Sequence, residues 1–150
     1  TGLFYLVAWD DYPGVYFAWD QEYEAGKWYS GGSVQADLPA ISRREIRTWG
    51  PEAGYGAIRA LDPQTGKRAW EFRMSDVSDG GILTTASNVL FTGNREGHFY
   101  VLDARDGKVL WRRYLGGQFA NSPITWSVDG KQYVSVASGH SLFTFGLREP

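Results

Sequence analysis

The sequence predicts an all-β chain made of four-stranded antiparallel blades, about three blades of a β-propeller. Three observations carry that expectation. One short pattern is written twice, and Asp62 to Asp103 and Trp70 to Trp111 are both 41 residues apart. A period of that length, among short apolar runs, is the period of a four-stranded blade. The 19 glycines and 6 prolines suit many short strands joined by turns. Hydrophobic residues at 43% and aromatics at 16% exclude a disordered chain and supply one substantial core.

The first copy of the pattern holds Ala60, Asp62, Thr65, Gly66, Lys67 and Trp70. The second holds Val101, Asp103, Asp106, Gly107, Lys108 and Trp111. Each Asp ends an apolar run, where its carboxylate can bond the backbone just downstream and start a turn. Each Gly can take the positive φ that closes the turn. Each Trp opens the next strand, is large and flat, and carries an N–H that needs an acceptor. At blade spacing such a Trp is expected to wedge between neighbouring blades and rest over the turn glycine. Asp62, Gly66, Trp70, Asp103, Gly107 and Trp111 are therefore read as structural, following the packing logic of repeats.

The elements follow in order. Residues 3–8 form a buried strand, residues 9–14 a turn around Pro13 and Gly14, and residues 15–19 a second strand. Residues 21–54 have no clear period and are expected to form a long insertion, with a short helical turn at 42–48. Residues 56–62 and 67–74 then supply the third and fourth strands of a first blade covering 1–74. A second blade, 82–115, has strands at 82–86, 89–93, 98–103 and 108–115, punctuated by Gly97 and by Asp106 with Gly107. A third blade, 123–147, has strands at 123–128, 131–137 and 142–147, with a hairpin at Asp129-Gly130. His98 begins a strand and reads as a pairing or surface residue.

The third blade shows no fourth strand, and an open blade leaves an edge unpaired. Three blades do not close a ring, since propellers typically need four or more. The expectation is a partial propeller domain over residues 1–150. The missing strand and the remaining blades would then lie upstream of Thr1. The other arrangement is self-assembly, several copies closing one ring with the strand supplied by a neighbour.

Composition excludes several classes of function. A net charge of −2 argues against nucleic acid as a partner. The pairs Arg43-Arg44 and Arg112-Arg113 are read as solvated surface. No apolar run is long enough to span a membrane as a helix. Two separated histidines and no cysteine argue against a zinc site and exclude disulfides. Gly93 to Gly97 reads as a hairpin, since no Lys-Ser/Thr pair or helix follows as in a phosphate loop. No Gly-x-Ser-x-Gly elbow occurs.

The pattern Ala-x-Asp-x-x-Thr-Gly-x-x-x-Trp resembles the tryptophan-docking motif of the pyrroloquinoline quinone (PQQ) dehydrogenase propellers. The first copy fits it fully, and the second departs at Val101 and Asp106. The intervening Gly80-Gly81 to Ala86, then Val89, Gly93, Gly97 and Asp103, and the later Asp129 to Val134 and Gly139, are similar to that family's final blades. The resemblance implies an eight-bladed propeller with PQQ at its axis, held by calcium or a lanthanide. It further implies a periplasmic enzyme that oxidises an alcohol or sugar and passes electrons to a cytochrome c or a quinone. The metal ligands, the aspartate base and the stacking tryptophan would belong to earlier blades. No catalytic residue and no metal ligand is therefore assigned here.

Three places in this chain are candidates for cofactor contact. Trp9 either stacks on a planar quinone or packs at a turn edge. The family's nearby PQQ-contacting Asn is absent, and Asp10 and Asp11 either approach a hard cation or are solvated. Asp79 stands where the family usually has a Trp before its Gly-Gly pair, and Gly80 with Gly81 would allow close backbone approach to a ligand. Gly139 matches a family Gly-Trp pair, but His140 follows it, a group able to bond a quinone oxygen or move a proton near neutral pH. These three departures also suit an alternative, a non-catalytic propeller scaffold of the outer-membrane assembly type. The insertion at 21–54 favours the enzyme.

Overall fold

The structure is a computed structural model and describes residues 1–10, 22–26, 55–76 and 78–147. Ten strands form three antiparallel sheets in chain order, with no helix among the described residues. The first sheet has β1 (Phe4–Asp10), β2 (Tyr55–Leu61) and β3 (Arg68–Met74). The second has β4 (Leu83–Thr84), β5 (Val89–Gly93), β6 (His98–Asp103) and β7 (Val109–Tyr114). The third has β8 (Ile124–Val128), β9 (Lys131–Ser138) and β10 (Ser141–Gly146). Each sheet is a meander in which consecutive strands pair. The arrangement is all-β, with blade-like sheets of three and four strands.

The two motif copies fold into the same turn. The Asp62 carboxylate accepts from the N–H groups of Gln64 and Thr65, both at 2.9 Å, and the Gly66 N–H donates to the Asp62 carbonyl at 2.8 Å. In the second copy Asp103 accepts from Arg105 N–H at 2.9 Å and from Gly107 N–H at 2.8 Å. The departure at Asp106 is chemically conservative. Thr65 Oγ1 accepts from Lys67 N–H, and Asp106 Oδ1 accepts from Lys108 N–H in the same way. Both copies shift register at the corresponding place, between Ala60 and Leu61 and between Val101 and Leu102. A shift of this kind re-aims the next side chains along the strand.

The second sheet is hydrophobic on both faces, and strand alternation sorts its residues. Leu90, Tyr100 and Leu102 meet Ile58 and Met74 of the first sheet, joined by Tyr5, Val7, Trp70 and Phe72. Phe91 and Phe99 turn the other way and meet Phe119, Val134, Val136, Phe143 and Phe145. Phe99 stacks on both Phe119 and Phe145 with centroids 5.7 Å apart.

Trp70 crosses from the first sheet onto the second. Its Nε1–H donates to the Ala104 carbonyl at 3.1 Å, and Tyr5 Oη donates to the same oxygen at 2.8 Å. The indole lies against Gly107, where a Cβ would come within 2.7 Å of ring atom Cε3, and φ is +76°. Only glycine meets both conditions. Trp111 packs edge-on against Phe99 and Phe145 and is 41% exposed.

The structure corrects three details of the strand assignment. The first apolar run takes the second place in its blade, because Trp9 and Asp10 extend the β1 ladder to Gly56 and Tyr55. They are strand residues, not turn residues, and no strand fits between β1 and β2. β2 and β3 occupy the places of β6 and β7, so the place of β4 has no counterpart among the described residues of the first sheet. β4 itself is only two residues long, because Thr85 N–H bonds the Val89 carbonyl and Asn88 adopts φ 61°, which puts Ala86 in the turn. The expected strand at 15–19, the helical turn at 42–48, Asp11, Arg43, Arg44 and most of the 21–54 insertion lie outside the described residues.

Candidate functional site

Antiparallel meanders put alternate connections at opposite ends of a sheet. The two motif turns and the β4–β5 turn share one end. The other end gathers the close of β1 and the β3–β4, β5–β6, β7–β8 and β9–β10 connections. All five candidate residues from the sequence lie at this second end.

Trp9 is half exposed, and its Nε1–H donates to the Ser78 carbonyl at 3.0 Å. Ser78 is buried. Its hydroxyl donates to the Gly93 carbonyl and accepts from Gly80 N–H at 3.1 Å, which fixes the strand start beside Trp9. The Arg95 guanidinium carbon lies 5.0 Å from the centroid of the Trp9 ring. Arg95 in turn grips Asp79 with two parallel bonds, 2.5 Å from Nε and 2.9 Å from its terminal nitrogen. Gln118 Nε2 donates to the same carboxylate at 2.9 Å.

The line continues into the third sheet. The Gln118 carbonyl accepts from Gly139 N–H at 2.9 Å, and Ser138 Oγ both donates to and accepts from the Gly117 backbone. Gly117 and Gly139 touch so closely that a Cβ on Gly117 would lie 2.5 Å from the Gly139 nitrogen. Gly80 is buried, and a Cβ there would meet the Asn121 carbonyl at 3.2 Å. Trp9, Asp79 and Gly139 are thus joined through Arg95 and Gln118 in one connected line across three sheets. His140 stands in the exposed β9–β10 turn beside Gly139 and has no polar partner among the described residues.

Asp10 lies apart from that line. Its carboxylate accepts from Arg59 and, at 2.9 Å, from Tyr55 Oη. The Arg59 guanidinium, and then the Tyr55 hydroxyl, hold its pKa below the usual carboxylate range. This leaves Asp10 committed to an ion pair rather than to a cation. No group of three or more Asp, Glu or His side chains converges among the described residues. His98 packs beside Tyr100 and Tyr114, with its backbone N–H on Asn94 Oδ1.

A planar anionic quinone needs a flat apolar face, N–H donors carrying positive charge, and backbone that permits close approach. Trp9 supplies the flat face and Arg95 the positive charge, while the N–H groups of Gly80 and Gly139 are already given to Ser78 and to the Gln118 carbonyl. The residues at this end therefore fit the chemistry of PQQ. Sequence reading missed Arg95 and Gln118. Arg95 sits inside a turn that reads only as a hairpin, and Gln118 lies in a connection with no motif. Neither carries a signal until the sheets are packed together.

Three blade-like sheets, the first joined to the second by a tryptophan that docks on the next blade's Asp–Gly turn, define a repeat propeller of the PQQ type. Residues 54–146 match the family described as outer membrane protein assembly factor BamB, and the chain belongs to this family of PQQ-repeat propellers. It is 36% identical over 143 residues to a quinoprotein ethanol dehydrogenase of Pseudomonas aeruginosa, an alignment covering 93% of this chain and 20% of that protein. The quinohemoprotein alcohol dehydrogenase ADHIIG of Pseudomonas putida superposes with a TM-score of 0.57 and 33% identity, over 61% of this chain and 14% of the other. The quinohemoprotein alcohol dehydrogenase of Comamonas testosteroni superposes with a TM-score of 0.55 and 38% identity, over 59% and 13%. The chain spans about a fifth of the length of the curated relatives it matches.

Proposed function

We propose that these residues form the corresponding blades of a quinoprotein alcohol dehydrogenase, with PQQ seated at the end where Trp9, Arg95, Asp79, Gln118 and Gly139 meet. That connected line is the observation that carries the reading. Trp9 offers a flat face, Gly80 and Gly139 let the connections at this end pack closely on Asn121 and Gly117, and His140 presents an imidazole at the same end. PQQ itself, when bound, supplies the two-electron oxidation of the alcohol or sugar; the protein orients it and sets the charge around it. Calcium or a lanthanide would be held by ligands outside these residues. The substrate class is a small alcohol or sugar, the electron acceptor a cytochrome c or a quinone, and the compartment the periplasm.

The test uses the full-length polypeptide that carries this segment, purified without cofactor. Titration with PQQ and Ca²⁺ should restore dye-coupled oxidation of ethanol or glucose. A full-length protein that neither binds PQQ nor oxidises any alcohol or sugar overturns the reading.

The match to an outer membrane assembly factor favours one second reading, a non-catalytic scaffold. Under it, the same end of the blades binds protein, and the purified polypeptide captures an outer-membrane assembly partner while ignoring PQQ.

A further inference from the structure

We propose that Arg95 is a positioning residue for the Trp9 ring, and that Asp79 acts through Arg95 rather than on a ligand directly. The proposal rests on the PQQ reading above.

Trp9 is 49% exposed, so burial does not fix its ring. Two contacts do. The indole N–H on the Ser78 carbonyl anchors one edge, and the Arg95 guanidinium lies 5.0 Å from the ring centroid. A planar guanidinium held on one carboxylate by two parallel bonds has a fixed plane, which a lysine cannot reproduce. Asp79 supplies that carboxylate, and Gln118 steadies it with a third bond. Asp79 and Arg95 are both partly exposed, with side chains 25% and 32% accessible. A pair this open contributes little to fold stability. Its geometry instead sets the tilt of an aromatic face and places a cation beside it, which is what a planar anionic ligand requires. Asp79 comes from the β3–β4 connection, Arg95 from the β5–β6 turn and Gln118 from the β7–β8 connection. The device therefore also reports whether the three sheets are docked.

Two readouts on the full-length polypeptide test this. The first is PQQ affinity by equilibrium dialysis. Arg95→Ala should weaken binding about tenfold, the loss of one charge-assisted contact. Asp79→Asn should weaken it similarly, although it leaves the site more positive. The double variant should be no worse than either single one, the sign of a shared path. Arg95→Lys should recover only part of the loss. The second is the fluorine spectrum of the cofactor-free protein grown on fluorotryptophan, with the Trp9 resonance identified by its loss in Trp9→Phe. Arg95→Ala and Asp79→Asn should shift that resonance and leave the other tryptophans in place. Arg105→Ala, at the opposite end, should move neither readout.

An Asp79→Asn variant that binds PQQ as tightly as the parent or tighter overturns the proposal, as does a Trp9 resonance that stays put. Failure of the parent protein to bind PQQ sinks the functional reading alone, because the fluorine signal still decides whether Arg95 positions the ring.

Discussion

The two boundaries between sheets use the same tryptophan in different ways. At the first, Trp70 gives its N–H to Ala104 and lies flat on Gly107, the turn of the next blade. At the second, Trp111 occupies the equivalent strand position, but its indole finds only the edges of Phe99 and Phe145. No docking turn meets it among the described residues. An apolar cavity of about 500 Å³ opens beside it instead, lined by Phe91, Val101, Leu110, Val134, Phe145 and Leu147. The motif is thus half of an interaction. Its Asp and Gly fold a turn locally, while its Trp stabilises only when a neighbouring blade presents a glycine and a carbonyl to it.

The strongest way to break this comparison is to remove each tryptophan in turn. Trp70→Ala loses a buried face and a hydrogen bond that leaves the Ala104 carbonyl with one donor fewer. It should cost about 3 kcal/mol in urea unfolding. Trp111→Ala, at an exposed position without that bond, should cost about 1 kcal/mol. Equal losses would mean that the second boundary is docked as firmly as the first.

The glycines sharpen the same point. Gly66 and Gly107 share a positive φ, +68° and +76°, but a Cβ on Gly66 meets nothing within 4 Å, while one on Gly107 meets the Trp70 ring. Gly66→Ala should therefore cost about 1 kcal/mol of backbone strain alone. Gly107→Ala should cost about 2–3 kcal/mol, since the indole must also move. The difference between the two measures the docking contact without touching the tryptophan.

The smallest effect is in the turn acids. Asp103 is held down to about 2 by Arg105, first through the guanidinium and then through the backbone N–H. Asp62 is lowered by the backbone N–H groups of Thr65 and Gln64, with Gln64 standing where the second copy has Arg105. Both carboxylates titrate lower in the folded chain than in the unfolded one. Their contribution is therefore complete above about pH 4 and is lost as pH falls through the folded value, for Asp103 toward about pH 2. Arg105→Gln should raise the Asp103 titration, followed by NMR, toward the ordinary carboxylate range. An unchanged titration would show that the backbone N–H alone sets it.

How much of this was legible beforehand differs by feature. The turns were, because Asp, Gly and a second acceptor two residues before the Gly–Lys amide are local chemistry. Even the change from Thr65 to Asp106 kept the same bond. The position of β1 was not. Trp9-Asp10-Asp11 with Pro13 looks like a turn, and only the ladder to Gly56 and Tyr55 carries Trp9 and Asp10 into the strand. The candidate site was half legible. Trp9, Asp79, Gly80, Gly139 and His140 could be picked out as strand-start and turn residues, but a sequence does not say which of them share an end of the stack.

The sequence by itself determined the blade period, the two docking turns, the alternating strands and the all-β class. These depend on interactions within a few residues or on a repeat that can be counted. Only the tertiary structure decided that Trp70 docks on Gly107, whereas among the described residues Trp111 meets Phe99 and Phe145. It alone brought Arg95 over Trp9 with Asp79 and Gln118 holding it. Those outcomes depend on groups 16 to 86 residues apart along the chain, from Asp79 with Arg95 to Trp9 with Arg95. Contacts of that kind exist only after three sheets have buried their apolar faces against one another.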